Sequence, residues 1–241
     1  MKMKKLILII LPVLLIGLVA CDSTLIGSGH IVSENRNVSG VTAVRLMTSG
    51  DLTIVQGAQE SLTIEADDNL LPELTSDVTG GTLELSMHSP GISNLHNPIR
   101  YHLVVKEING LTLMGSGDIT AAALNGDTVT ITSMGSGDIK IVQLTAKSLN
   151  VVIDGSGDVN VSAGTANDAN VHVNGSGNFS AGNLQIGKAI FSVLGSGDSE
   201  TWVTNELNVN TLGSGDVHYY GKPTIQQSTL GSGDIISLGN K

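Results

Sequence analysis

A four-residue string, GSGD, returns at nearly constant intervals through the second half of the chain. GSG begins at Gly115, Gly135, Gly155, Gly175, Gly195, Gly213 and Gly231, in steps of 20, 20, 20, 20, 18 and 18 residues. Aligned on the first glycine, Ile119, Ile139, Val159, Phe179, Val217 and Ile235 fall in one column. Further apolar columns hold Leu124, Leu144, Gly164 and Leu184, then Val129, Leu149, Ala169 and Ala189, then Ile131, Val151, Val171 and Phe191. Polar residues such as Thr128, Thr130 and Thr132 lie between them. Alternation of period two marks strands with one buried face. Recurrence at about 20 residues marks a solenoid, because one such coil cannot bury its apolar side chains alone but stacked coils share a core. A coil of this length accommodates three short strands and three corners. The expectation is an all-β chain folded as a right-handed parallel β-helix. A propeller blade needs roughly 40 residues, and no six-residue apolar period supports a left-handed hexapeptide helix.

The regular coils span residues 111–241. Residues 27–110 are expected to form looser coils: "MTSGDLTIV" (47–55) and "IGSGHIV" (26–32) are imperfect copies of the motif, and "HSPGISNLHNP" (88–98) reads as an insertion rich in turn formers. Residues 27–241 are thus expected to be a single domain.

The motif itself has two readings. In the structural one, Gly115 and Gly117 flank Ser116 at a sharp corner because glycine reaches positive φ, serine bonds its counterparts in adjacent coils, and Asp118 accepts a backbone N–H. In the rival reading Asp118, Asp138, Asp158, Asp198, Asp216 and Asp234 form a cation ladder, since calcium takes oxygen ligands. Asn178 stands in mid-ladder, keeping an acceptor oxygen without the charge, which favours the structural reading. No metal and no cofactor is expected.

The N-terminus carries a basic start, "MKMKK", then an unbroken apolar run at residues 6–20. Fifteen residues fall short of the ~20 needed to span a bilayer, so residues 1–20 read as a cleaved export signal. The one cysteine, Cys21, ends the string "LVAC". That string resembles the bacterial lipoprotein lipobox, and the resemblance implies a lipid-modified Cys21 followed by a short tether to residue 26. Loss of the signal removes three lysines and leaves nine basic residues against 22 acids, a net charge of −13. Such a chain repels nucleic acid, which is excluded as a partner.

The layout "GSGHIVSENRNVSGVTAVRL", "SGDLTIVQG", "EADDNLLPEL", "GGTLEL" and then GSGD coils resembles the GIN-domain family of putative auto-transporter adhesin head domains. The resemblance runs from about residue 27 to the end. It implies a right-handed β-helix on a secreted or surface-anchored bacterial protein, and it supplies no catalytic residues.

Enzymatic chemistry finds little support in the residues themselves. A β-helix also carries polysaccharide lyases and glycosidases, which is the alternative function, but no basic residue pairs evidently with carboxylates off the turn ladder. "EADD" (65–68) reads as a solvated turn, and His88, His96 and His102 as separate loop residues. Aromatics are scarce. Trp202 and Tyr220 each lie seven residues past their coil's first glycine, so they are expected as stacked neighbours pointing outward, the candidate contact for a glycan or a surface protein. The combined expectation is a non-catalytic binding, adhesion or structural module in the bacterial cell envelope, tied by its N-terminal lipid to the extracytoplasmic face of a membrane.

Overall fold

The computed structural model describes residues 25–88, 92–94 and 96–241. The expected signal segment 1–20 and Cys21 lie outside the described residues, as does part of the expected insertion. From Ile119 onward the chain winds as a β-solenoid. Strands Ile119–Ser133, Ile139–Ile153, Gly164–Val173, Phe179–Val193 and Ser199–Thr211 pair in parallel, each with the next. The ladder is the repeat itself: Ile119 lies beside Ile139, Leu124 beside Leu144 and Val129 beside Leu149. Pairing lapses at Ala122 and Asp127, where each coil bends between its three strand stretches. The apolar columns are buried in one continuous core, from Ile119 through Phe179 to Val217, with Gly164 and Ile235 half-buried near its margin. Phe179 and Phe191 meet inside it with ring centroids 6.0 Å apart.

The corner glycines serve a different purpose from the one expected. None of the glycines of the seven GSG corners has positive φ. What they provide is the missing Cβ. A Cβ on Gly135, Gly155, Gly175 or Gly195 would overlap the carbonyl oxygen of the first glycine one coil earlier, and one on Gly137, Gly157, Gly177 or Gly197 that of the second. The serines also act through the backbone. Their side chains are exposed, while Ser136, Ser156, Ser176 and Ser196 donate N–H to the preceding corner's first glycine at 3.1–3.2 Å.

Residues 27–110 only partly follow the coil pattern. Ala43–Leu46 and Asp51–Gln56 stack in parallel beneath the regular coils, and Thr82–Met87 and Arg100–Val105 stack in parallel beneath those. Beyond that layer the strands run antiparallel: Ser61–Asp67 on Arg100–Val105, Ile31–Arg36 on Ser61–Asp67, and Leu74–Thr79 on Thr82–Met87. The expected looser coils therefore extend through part of this region only, and an antiparallel cap closes its outer end. The last of these antiparallel pairs is a hairpin closed by Gly80 and Gly81, both at positive φ (57° and 82°), in a two-residue turn that other residues enter with strain. Arg36 fastens the cap, donating to the carbonyls of Leu74 (2.6 Å) and Leu71 (2.9 Å) and to Glu34 (2.9 Å).

At the far end the coil shortens from 20 to 18 residues, and the register locates the change. Ala181 pairs with Thr201 and Gln185 with Trp202, so four residue steps face one. Then Ile186 pairs with Val203 and Lys188 with Glu206, so two steps face three. The shortened coil loses three residues at one corner and regains one at the next.

Because the corner is limited by backbone contact, Gly157→Ala should destabilise the protein by about 1–3 kcal/mol, the usual cost of overpacking. The neighbouring Ser156→Ala should stay within about 0.5 kcal/mol, since that side chain is in water. Urea denaturation of both variants and the parent measures the contrast.

Candidate functional site

Three surface features carry polar or aromatic groups in an organised way: the corner ladder, the acidic segment of the cap, and the step between long and short coils.

The ladder is a chain of charge-assisted hydrogen bonds. The backbone N–H of Asp118 donates to Asp51 Oδ1 at 3.0 Å, that of Asp138 to Asp118, and that of Asp158 to Asp138. The series continues through Asn178, Asp198 and Asp216 to Asp234 at 2.8 Å per step. Each carboxylate holds the next coil rather than its own turn. Asn178 does the same work with its amide oxygen, and its Nδ2 donates back to Asp158 Oδ1 at 3.0 Å. Lys140 lies between two rungs, 3.1 Å from Asp118 Oδ2 and 3.3 Å from Asp138 Oδ2. Partial burial works to raise the Asp118 carboxyl, but the Asp138 N–H and the Lys140 ammonium outweigh it and hold the group below the usual carboxylate range. Lys140 is pushed up in turn, first by its hydrogen bond to Asp118.

The EADD segment departs from the expected solvated turn. Ala66 and Asp67 are fully buried. Asp67 Oδ1 accepts from Asn97 Nδ2 at 2.7 Å, and Gly27 packs against Oδ2. Asp68 remains exposed, accepts from Ser28 Oγ at 2.6 Å and lies 3.6 Å from His30 Nδ1. The Ser28 hydroxyl, ahead of the Asn69 N–H and His30, keeps its carboxyl below the ordinary value against the effect of desolvation. The imperfect motif at 26–32 is thus the part of the cap that docks on this acidic segment. His88, His96 and His102 are all exposed. Among the described residues, no three His, Cys, Asp or Glu side chains gather as a metal site.

The step between coil lengths holds the aromatic pair. Trp202 and Tyr220 are adjacent partners in the parallel ladder, both half-buried and neither part of the core. On its other side Trp202 pairs with Gln185. Lys241 covers Tyr220, its ammonium 4.5 Å from the ring centroid and bonded to Gly182 O and Asn183 Oδ1. Beside the step lies an open groove of about 430 Å³ lined by Thr165, Asn167, Asp168, Gln185, Lys188 and Asn205, among others. The sequence reading missed this groove. It lies at the corner where Ile186–Lys188 faces Val203–Glu206 and the shorter coil carries one extra residue; its signal in the sequence was the change of period from 20 to 18.

A family model described as "Putative auto-transporter adhesin, head GIN domain" matches residues 40–223. The chain belongs to this family. Among solved structures, the GIN-domain chain is similar to a putative adhesin from Bacteroides fragilis NCTC 9343, at 30% identity and a TM-score of 0.84 over 89% of this chain and all of that one. It is also similar to a protein from Parabacteroides distasonis ATCC 8503 described as a putative lipid binding protein, at 25% identity and a TM-score of 0.69 over 89% and 99% of the two chains. A putative adhesin from Parabacteroides merdae ATCC 43184, 19% identical with a TM-score of 0.71 over 89% and 99%, shares the fold. No curated protein matches the GIN-domain chain.

The ladder should respond to the loss of an acceptor, not of a charge. Asp158→Ala removes the oxygen that receives two Asn178 donors and should cost about 1–3 kcal/mol. Asp158→Asn should cost less than about 0.5 kcal/mol, and millimolar calcium should leave the melting temperature nearly unchanged in all three proteins. A calcium-dependent rise of many degrees would return the ladder to the cation reading.

The lowered carboxyl of Asp118 makes a separate, pH-dependent contribution. It is complete above the unfolded value near about 4 and is lost as pH falls through the lower folded value. Lys140→Met should therefore narrow the stability gap to the parent at low pH. At neutral pH that gap is about 0.2–1 kcal/mol, because the pair is half exposed.

Proposed function

We propose that this GIN-domain protein is a non-catalytic adhesion module held by a lipid on Cys21 at the extracytoplasmic face of a bacterial membrane, contacting a glycan or a surface protein. Membership of a family described as adhesin head domains is the observation that carries the reading. The architecture supports it, since a β-solenoid fixed by corner ladders presents outer side chains at set spacings with little freedom to lose on binding. The aromatic pair Trp202 and Tyr220 is the proposed contact, because rigid aromatic area is a common anchor at recognition surfaces.

The groove beside that pair suits binding better than hydrolysis. Glycoside hydrolysis uses two carboxylates flanking the scissile bond, whereas of the side chains lining this groove only Asp168 is a carboxylate. Glu206, in the adjoining groove, lies 3.7 Å from the Lys188 ammonium.

Two measurements test the reading. Cys21→Ser should convert a membrane-bound protein into one released by detergent-free washing, since the acyl anchor is lost; equal retention of mutant and parent would sink the lipid anchor. Truncation of Trp202 and Tyr220 together to alanine should lower adhesion to a cell or glycan surface while changing thermal melting little. Unchanged adhesion with unchanged melting would remove the pair from the contact surface.

A further inference from the structure

One file of exposed side chains runs along the solenoid, and its pattern is the same from either end. The residues just before each GSG corner, and before its imperfect copy at Thr48, are Met47, Met114, Met134, Asp154, Asn174, Leu194, Leu212 and Leu230. The residues preceding them are ladder partners throughout: Leu46, Leu113, Ser133, Ile153, Val173, Val193, Thr211 and Thr229. The file therefore climbs one coil at a time, about 4.8 Å per step, and every member is exposed. Three apolar residues, two polar ones and three apolar ones follow in order.

We infer that this file is the seam of a two-fold dimer, in which a second copy of the chain lies antiparallel against it. A two-fold axis across the file between Asp154 and Asn174 sets Met134 against Leu194 of the second copy, Met114 against Leu212, and Met47 against Leu230. Such an interface is isologous: one patch meets itself, and the assembly closes at two copies. A parallel arrangement would instead put Asp154 on Asp154.

Area and polarity both favour this occupant. Met47, Met114, Met134, Leu194, Leu212 and Leu230 are 40–82% exposed. Apolar side chains scattered singly on a surface are ordinary, but a contiguous row marks an interaction site. The row stands proud because mostly glycine and serine follow it at the corner. Covering it in both copies would remove on the order of 1,000 Å² from water, the lower bound for a specific interface. At the centre, Asn174 Nδ2 donates to Asp154 Oδ1 at 2.7 Å within one copy. Asp154 Oδ2 and the second N–H of the Asn174 amide then face Asn174 and Asp154 of the second copy. A polar pair inside an apolar seam fixes register at some cost in stability, as a buried Asn does in a coiled coil. On the flank, Lys140 lies between Asp118 and Asp138, and the same axis brings it level with Asp216 and Asp198 of the second copy. A bilayer suits the file less well, because the carboxylate ladder runs beside it across each corner and repels anionic headgroups.

Cysteine pairing tests the arrangement in the full Cys21→Ser chain, which has no other thiol. Met134 and Leu194 are three coils apart within one chain, about 14 Å at the ladder spacing, too far for a disulfide. In the dimer they are opposite one another. Met134→Cys with Leu194→Cys should therefore oxidise to a covalent dimer, while either single variant stays monomeric on a denaturing gel. Sedimentation velocity at roughly 100 μM, a concentration suited to an interface of minimal size, should show a particle of twice the chain mass. Met114→Lys with Leu212→Lys sets like charges opposite one another and should give a monomer with unchanged melting. Met114→Lys with Leu212→Glu should restore the dimer. A monomeric parent, cross-linking of either single variant as strong as that of the double, or a Lys/Glu variant no more dimeric than the Lys/Lys one overturns the seam. So does a parent that floats with phosphatidylethanolamine–phosphatidylglycerol vesicles and loses that binding on Leu212→Lys, since the file would then face a membrane.

Discussion

The closest approach of two backbones at the GSGD corner sets the spacing of everything above it. Each corner glycine faces the carbonyl oxygen of its counterpart one coil earlier, with no room for a side-chain carbon between them. Parallel strands need a separation of about 4.8 Å to hydrogen-bond. A bulkier corner would hold the coils apart on one side and fan the stack open. Glycine at two of four positions therefore fixes the pitch, and the pitch in turn brings the aspartate of one coil to the N–H of the next. The apolar columns then meet like with like, Ile119 on Ile139 and Leu124 on Leu144. In a one-dimensional stack each coil answers mainly to its neighbours, so a local rule repeated seven times becomes the architecture.

The ladder also explains how a chain so rich in acid tolerates a file of carboxylates. At one rung spacing, two charges in water-like surroundings repel by only about 0.9 kcal/mol, and a hydrogen bond to a charged acceptor contributes about 1.5–3 kcal/mol. Each rung gains more from the N–H it receives than it loses to its neighbour. Lys140 and Asn178 relieve the file at intervals.

The regular coils were legible because one period governs both sequence and space. Columns read from residues 111–241 became the buried columns of the core, and the aspartate's role as an acceptor followed from its place in the motif. The reason for the glycines was not legible, because positive φ and close approach both select glycine, and only the packed coils distinguish them. The cap was partly readable. Gly80–Gly81 between "SDVT" and "TLELSM" is a hairpin signal, but beside so strong a solenoid period these strands look like further coils. Asp67 could not be placed from sequence, since its burial depends on Asn97 and Gly27, far along the chain. The groove lay equally out of reach: a two-residue shortening is visible in the letters, while its division into a loss of three and a gain of one exists only in the register.

Stacked, in-register parallel strands at this spacing are also the geometry by which amyloid fibrils lengthen, each layer templating another. In this protein that geometry is interrupted at the N-terminal end by a change of strand direction. On the far side of Arg100–Val105 in the stack the strands run antiparallel, and Ile31–Arg36 brings Ser33, Glu34 and Asn35 to a strand whose partner among the described residues is Ser61–Asp67 alone. An incoming parallel coil would meet a reversed hydrogen-bond pattern and a charge instead of an apolar column. Polar and charged edge strands discourage pairing with a further chain, so the cap acts as a chain terminator for a fold whose repeat has no internal reason to stop.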